Sequence, residues 1–279
     1  MLRSSLLLTA ASLLAQDHVG KPVPEYLTGD ECLFCHDVKI GRTWQTNPHA
    51  WTIRPKNVEP VVSGLPTDAT HVLGNAPHAR ALKQAGYGKF AVRGAAGAWD
   101  SGVFPTRCAG CHATAVDPTT HAFSTSALDC YTCHGAVPTG HTENTALVWF
   151  SSKHEKPPRQ IVAICGSCHL RGGKSRSSAL PYANNFVAGD DLFADFQIDL
   201  KLADDPSLNP GDRHVYRNIR DVLERKSDAT CLSCHRIHGD TSSKHRFVLA
   251  SDSCLDCHNA EGPKKVVKKY EVHSATCQY

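Results

Sequence analysis

Methionine is almost missing from this chain of 279 residues, and the one copy is Met1. Once the N-terminus is processed, no thioether side chain remains to act as a ligand. Aromatic residues are also few, at 7%. No window beyond residue 15 is apolar enough to span a bilayer, which excludes a polytopic membrane protein. Neither charge sign dominates: 30 Lys and Arg face 27 Asp and Glu, for a formal charge of +3. That balance excludes an acidic disordered tail and a strongly basic nucleic-acid binder. There is no Gly-rich phosphate loop, no nucleophile elbow and no dinucleotide fingerprint. What the chain has instead is 13 Cys and 17 His. Such a density calls for disulfides, metal sites or covalent cofactors, and spacing decides among them.

Residues 1–15 read as a signal peptide. Arg3 is the positive n-region, Leu6, Leu7, Leu8, Leu13 and Leu14 form the apolar segment, and Ala15 precedes the cut. A core-packed apolar helix is the alternative. The expectation is export to the periplasm or the extracellular space, with no membrane span after signal removal.

Twelve cysteines fall into six copies of Cys-x-x-Cys-His. They are Cys32–Cys35–His36, Cys108–Cys111–His112, Cys130–Cys133–His134, Cys165–Cys168–His169, Cys231–Cys234–His235 and Cys254–Cys257–His258, leaving Cys277 over. On a helical turn, residues i and i+3 share a face and i+4 stands beside them. Two thiols so placed can add to the two vinyl groups of one haem while the imidazole reaches its iron, the pattern of covalent haem c. Structural zinc also uses Cys-x-x-Cys pairs, but it does not require His after every second Cys. Disulfides would leave the six histidines without a purpose. The reading is six covalently attached haems, with iron held proximally by the motif histidines. At that density the porphyrins form the core, and the motif pairs 108–112 with 130–134 and 231–235 with 254–258 lie close in sequence.

The second axial ligand in electron-transfer cytochromes is usually Met or His. With Met1 removed, the donors are the eleven histidines outside the motifs: 18, 49, 71, 78, 121, 141, 154, 214, 238, 245 and 273. The distal candidates are His49, His141, His214, His238, His78 and His273; the alternative for each is a solvated or hydrogen-bonded surface imidazole. His49 closes Trp44-Gln-Thr-Asn-Pro-His49, His141 follows Cys-His-Gly135, and His238 stands three residues after His235. His214 opens a helix expected over residues 212–226, with Asp212 as N-cap and Val215, Ile219, Val222 and Leu223 on one face.

The first four motifs resemble the tetrahaem cytochrome c-554 family. The matching stretches are Gly29–Ala50, Phe104-Pro-Thr-Arg-Cys108-Ala-Gly-Cys-His112, Asp129-Cys-Tyr-Thr-Cys-His134-Gly135 through His141, and Cys165-Gly-Ser-Cys-His169-Leu170. This covers about half the chain. The resemblance implies distal ligation by His49 and His141, with His214 the nearest match to a third ligand on a helix after motif four. It also implies electron carriage between an oxidising enzyme and other cytochromes, with one haem able to lack a distal ligand. The chain departs from the family in its last two motifs, which look like the doubled haem-binding unit of other multihaem carriers.

The expected fold is mainly α with much irregular structure, a multihaem cytochrome c fold with short helices wrapped around a closely packed haem array. Its parts are the signal peptide at 1–15, a four-haem region at 16–230 and a two-haem unit at 231–279. Residues 37–107 are expected to hold a helix with Pro77 in its first turn and Gly86 at its end. Arg171-Gly-Gly-Lys-Ser reads as a loop. The basic stripe Lys264, Lys265, Lys268 and Lys269 is a solvated face or a docking patch for an acidic redox partner. The leading functional expectation is an electron carrier with mostly bis-His, low-potential haems. Its partners are other redox proteins or cytochromes, or further copies of the chain, and not nucleic acid. Two alternatives stand beside it: a reductase or oxidase of a small nitrogen or sulfur compound at one five-coordinate haem, and a subunit of an extended cytochrome filament.

Overall fold

The computed structural model describes residues 22–74, 79–151, 156–233, 235, 237 and 238. The signal segment, His18, His78, His154, Cys234, His245, the sixth motif (Cys254, Cys257, His258), His273, Cys277 and the lysine stripe lie outside these residues.

The mainly α expectation is overturned. Between motifs one and two the chain builds a five-stranded antiparallel meander in the order β1 (Ile53–Pro55), β2 (His71–Leu73), β3 (Arg80–Gly86), β4 (Lys89–Arg93) and β5 (Trp99–Asp100). Two further ribbons pair β6 (Ala113–Val116) with β7 (Phe123–Ser126), and β8 (Lys174–Ser175) with β9 (Phe196–Gln197). The protein is therefore mixed, with short helices and sheet together.

The helix expected to end at Gly86 is also corrected, since residues 80–86 are strand β3. Ala, Leu, Lys and Gln favour helix in isolation, but a segment this short cannot sustain one without tertiary help. Pairing supplies more. Leu82 lies opposite both His71 and Val92, is fully buried, and packs with Ile53, Leu73, Phe90 and Phe104. The reversal at Tyr87 needs glycines on both sides: Gly86 and Gly88 have φ of 141° and 62°, a region costly for residues with a Cβ.

The sheet's apolar face packs on α3 (Val103–Arg107) and α4 (Ala109–His112), the two short helices that carry motif two. Phe90, Phe104 and Phe123 meet at centroid distances of 5.2–5.6 Å, within the range of favourable aromatic pairs. Three of the phenylalanines thus gather under one motif.

A second core forms between α6 (Pro158–His169) and α8 (Pro210–Leu223), with Val162, Ala163, Tyr216, Ile219 and Val222 buried. Motif four ends α6, and Cys231 of motif five packs against the same core. The expected helix near His214 is present, but it begins earlier. Asn209 accepts the Asp212 N–H at 2.9 Å as N-cap, and Pro210 takes the first turn, where its missing N–H costs nothing. Among the described residues no helix is long and apolar enough to cross a membrane.

Candidate functional site

Motifs one and three open short helices that lean on each other. α1 (Gly29–His36) is capped by Thr28, and α5 (Cys130–His134) by Asp129, whose carboxylate accepts the Tyr131 N–H at 3.0 Å. Asp129 also receives the Tyr26 hydroxyl and the Gly29 N–H, so one buried carboxylate joins the starts of both helices. Burial still pushes its carboxyl above the ordinary carboxylate range, because desolvation outweighs those donors. A Cβ at Gly29 would sit 3.3 Å from Asp129 Cβ, a tight contact to which the neighbouring side chain would have to yield.

The thiols of different motifs also meet. Cys32 lies beside Cys130, Cys111 beside Cys168, and Cys165 beside Cys231. The Cys111 Sγ lies 3.9 Å from the Ser167 carbonyl and the Cys168 Sγ 3.8 Å from that of Gly110, so motifs two and four interlock reciprocally. These contacts link motif one to three, two to four and four to five. They bridge motifs further apart in the chain than the sequence-adjacent pair two and three. Burial pushes the Cys133 thiol up to about 12, and all nine described motif cysteines are free of disulfides.

The imidazoles carry the geometry that decides what the site can hold. His36 faces His141 with ring centres 6.3 Å apart, His169 faces His49 at 6.2 Å, and His134 faces His238 at 5.9 Å. Each pair joins one motif histidine to one from outside the motifs. A metal–imidazole bond is about 2 Å, so two such bonds in line plus two half-rings put the centres about 6 Å apart. A direct N–H···N hydrogen bond would draw them to about 5 Å. Ordinary ring contacts cover the same range; three pairs of matched membership and spacing are what fit axial ligation of a haem iron.

The outer nitrogens fit too. The His141 Nδ1 lies 2.9 Å from the Pro138 carbonyl, which can only accept, so the ring carries its proton there and keeps its lone pair on Nε2. The His49 Nδ1 lies 3.1 Å from Asn47 Oδ1. The Asn47 amide cannot be turned round, since its Nδ2 donates to the Ile237 carbonyl at 2.6 Å and its Oδ1 accepts the His49 N–H at 2.9 Å. Donation from Nδ1 to a fixed oxygen orients a ligating histidine and raises its basicity.

The chain matches no family model, no curated protein and no solved structure. The assignment of the site therefore rests on its own residues.

Of the distal candidates, the fold brings His49, His141 and His238 to motif imidazoles. His214 stands exposed on α8, and His78 and His273 lie outside the described residues. No second ring is paired with His112 among the described residues. Its Nδ1 is buried without a hydrogen-bond partner, and burial, with Arg171 nearby, lowers its basicity. An orphaned buried nitrogen costs about 1–3 kcal/mol unless something occupies the site. The His134 imidazole is pushed down to about 4, chiefly by burial and then by His238 and His36, against an opposing contact with the Phe150 backbone. No group of three or more His, Cys, Asp or Glu is gathered as a metal site among the described residues, whereas structural zinc takes four protein ligands. Asn47, at 4% exposure, is the functional residue that sequence reasoning missed. Its place between Trp44 and His49 reads as turn chemistry, and no local signal reveals Ile237.

Proposed function

We propose that this chain is an exported six-haem c-type cytochrome that carries electrons between other redox proteins. The observation that carries the reading is the set of three imidazole pairs at 5.9–6.3 Å, each joining a Cys-x-x-Cys-His histidine to an outside histidine. Haem c, when bound, supplies reversible one-electron chemistry.

The chain's own residues do the rest. The paired thiols fix each porphyrin covalently, so the cofactor is not lost in an exported compartment. The motif imidazoles would bind the iron, and His49, His141 and His238 would each supply a second imidazole at three of the sites. Two nitrogen donors without a Met sulfur favour the ferric state and set a low potential. The Pro138 carbonyl and the Asn47 amide strengthen that donation by accepting from Nδ1. The segments that carry motifs one and three, two and four, and four and five are neighbours in the fold, which would set the corresponding sites close together. In the redox role the α1–α5 junction at Asp129 and the α6–α8 core keep those spacings fixed.

Mass spectrometry of the denatured chain tests the cofactor, with six haem additions expected. Four or fewer, or haem that solvent extracts, would sink the reading. His49→Ala and His141→Ala test the ligands. Each should keep six haems while one iron turns high-spin, and an entirely low-spin spectrum in both variants would refute the assignment.

A second reading is favoured by His112, which has no paired ring among the described residues. An iron with an open position there would make the chain a reductase or oxidase of a small nitrogen or sulfur compound. The outcome that selects it is a high-spin signal in the unmodified protein that nitrite or nitric oxide abolishes.

A further inference from the structure

Motif five ends in Cys231-Leu-Ser-Cys-His-Arg-Ile-His238, so two histidines lie three residues apart. A sequence reading gives His214 as the ligand after motif four. The structure leaves His214 exposed on α8 and brings His238 to His134 instead, with ring centres 5.9 Å apart and planes inclined by 20°. The backbone that delivers His238 is anchored from the far end of the chain. The Thr43 hydroxyl donates to the His238 carbonyl, and the buried Asn47 amide donates to the Ile237 carbonyl at 2.6 Å. Both anchors belong to the stretch just after motif one. Motif one also stands next to motif three, through the packing of α1 on α5 and through Asp129.

We infer that His238 is the distal ligand of the haem carried by motif three. The inference rests on the six-haem reading and goes beyond it in two ways. His235 and His238 serve different irons, so the Cys-His-x-x-His segment couples haem five directly to haem three. The region 16–230 also cannot complete its own third haem, because that ligand arrives from the following unit. The four-haem and two-haem parts are then one electron-transfer body, and electrons reaching motif five have a short route to the pair formed by motifs one and three.

The ring angles supply a marker. Near-parallel axial imidazoles donate to the same iron d orbital and split the pair, which gives a rhombic low-spin EPR signal. Near-perpendicular rings leave the two orbitals close in energy, and the signal is strongly anisotropic with a large leading g value. His134 with His238, at 20°, belongs to the first type, and His169 with His49, at 77°, to the second.

The test uses the full exported chain and the variants His238→Ala, His238→Met and His214→Ala. In His238→Ala the haem mass should stay at six, a rhombic signal should be lost, and one high-spin haem should appear. His238→Met keeps a donor at that position, so it should stay low-spin and show a higher potential for one haem. His214→Ala should retain the rhombic signal that His238→Ala loses. The site is identified by adding Cys130→Ser and Cys133→Ser, which should remove haem three and leave five. Introduced into that chain, His238→Ala should produce no new high-spin haem. A fully low-spin His238→Ala overturns the inference, as does loss of the anisotropic signal in place of a rhombic one. A new high-spin haem that His238→Ala still produces in the five-haem background also overturns it. A wild-type chain with no covalent haem is a different failure, which removes the six-haem reading itself.

Discussion

Asn47 is the residue whose replacement the structure makes most informative. Its side chain is buried at 4% exposure and makes three polar contacts. Oδ1 accepts the His49 N–H at 2.9 Å and the His49 Nδ1–H at 3.1 Å, and Nδ2 donates to the Ile237 carbonyl at 2.6 Å. Asn47→Leu keeps the size and removes all three. Each hydrogen bond contributes about 1 kcal/mol net, and each buried partner left unsatisfied costs about 1–3 kcal/mol more. A loss of about 3 kcal/mol is therefore expected, with part recovered where water reaches the freed groups. The chemical effect is separate, because an outer partner of a ligating histidine typically changes metal affinity 10–100-fold. Asn47→Asp splits the two jobs. It keeps an acceptor for His49 Nδ1 and abolishes the donor to Ile237, so the His49 site should hold while His238 loosens. Chemical denaturation gives the stability, and low-temperature EPR follows the two kinds of low-spin signal. If Asn47→Leu melts within about 0.5 kcal/mol of wild type and keeps every low-spin signal, the positioning role assigned to this amide is wrong.

Gly88 has φ +62°, and a Cβ there would meet the Phe123 carbonyl at 2.3 Å. Gly88→Ala should therefore cost about 2–4 kcal/mol in a denaturant melt, against about 1 kcal/mol for Gly64→Ala, whose Cβ would meet nothing within 4 Å. Equal losses would contradict the clash. Burial raises the Asp129 carboxyl above its ordinary 3.8, so the folded state holds the proton more tightly than the unfolded chain. Stability from this group is thus present at low pH and falls as pH rises from the ordinary value through the raised one. Relative to Asp129→Asn, wild type should lose stability across that interval, and parallel pH profiles would refute the buried-carboxylate argument. Isoelectric focusing addresses the cofactor count: twelve propionates on a mature chain of about +2 should give about −10 with ferrous irons and about −4 with ferric ones. The holoprotein should therefore focus well below the sequence value of 8.2, and focusing above pH 8 would contradict it.

The chemistry was more legible than the architecture. On the proposed reading, Cys130-Tyr-Thr-Cys-His134 carries its chemistry in five residues, because thiols and imidazole must share a helical turn whatever surrounds them. His49 and His141 were legible for a similar local reason, each standing close after a motif in a recognisable setting. The sheet was not. Arg80-Ala-Leu-Lys-Gln-Ala has a helix former's composition, and its strand identity depends on Val72 and Val92 approaching from either side, which no local window contains. The density of haem motifs leads to the expectation that porphyrins form the core. The structure instead gathers Phe90, Phe104 and Phe123 into a compact apolar cluster under motif two, so this motif rests on conventional side-chain packing as well.

The pairing of ligands was the least legible feature, for a physical reason. An iron with two axial histidines needs donors on opposite sides of one plane, and two donors from one short turn lie on the same side. The second donor must therefore come from elsewhere in the chain. In all three pairs it does: His36 takes His141, His134 takes His238, and His169 reaches back to His49. The return paths cross, since His49 lies just after motif one yet faces the histidine of motif four. On the proposed reading, ligand choice would be made by tertiary contacts such as Asn47 with Ile237 and Asp129 with Tyr26, and these are single polar residues with no repeat to reveal them. On the proposed reading, the three described pairs tie motifs one, three and four to segments distant in the chain, so the spacing of those sites would be held by tertiary contacts rather than by each motif on its own.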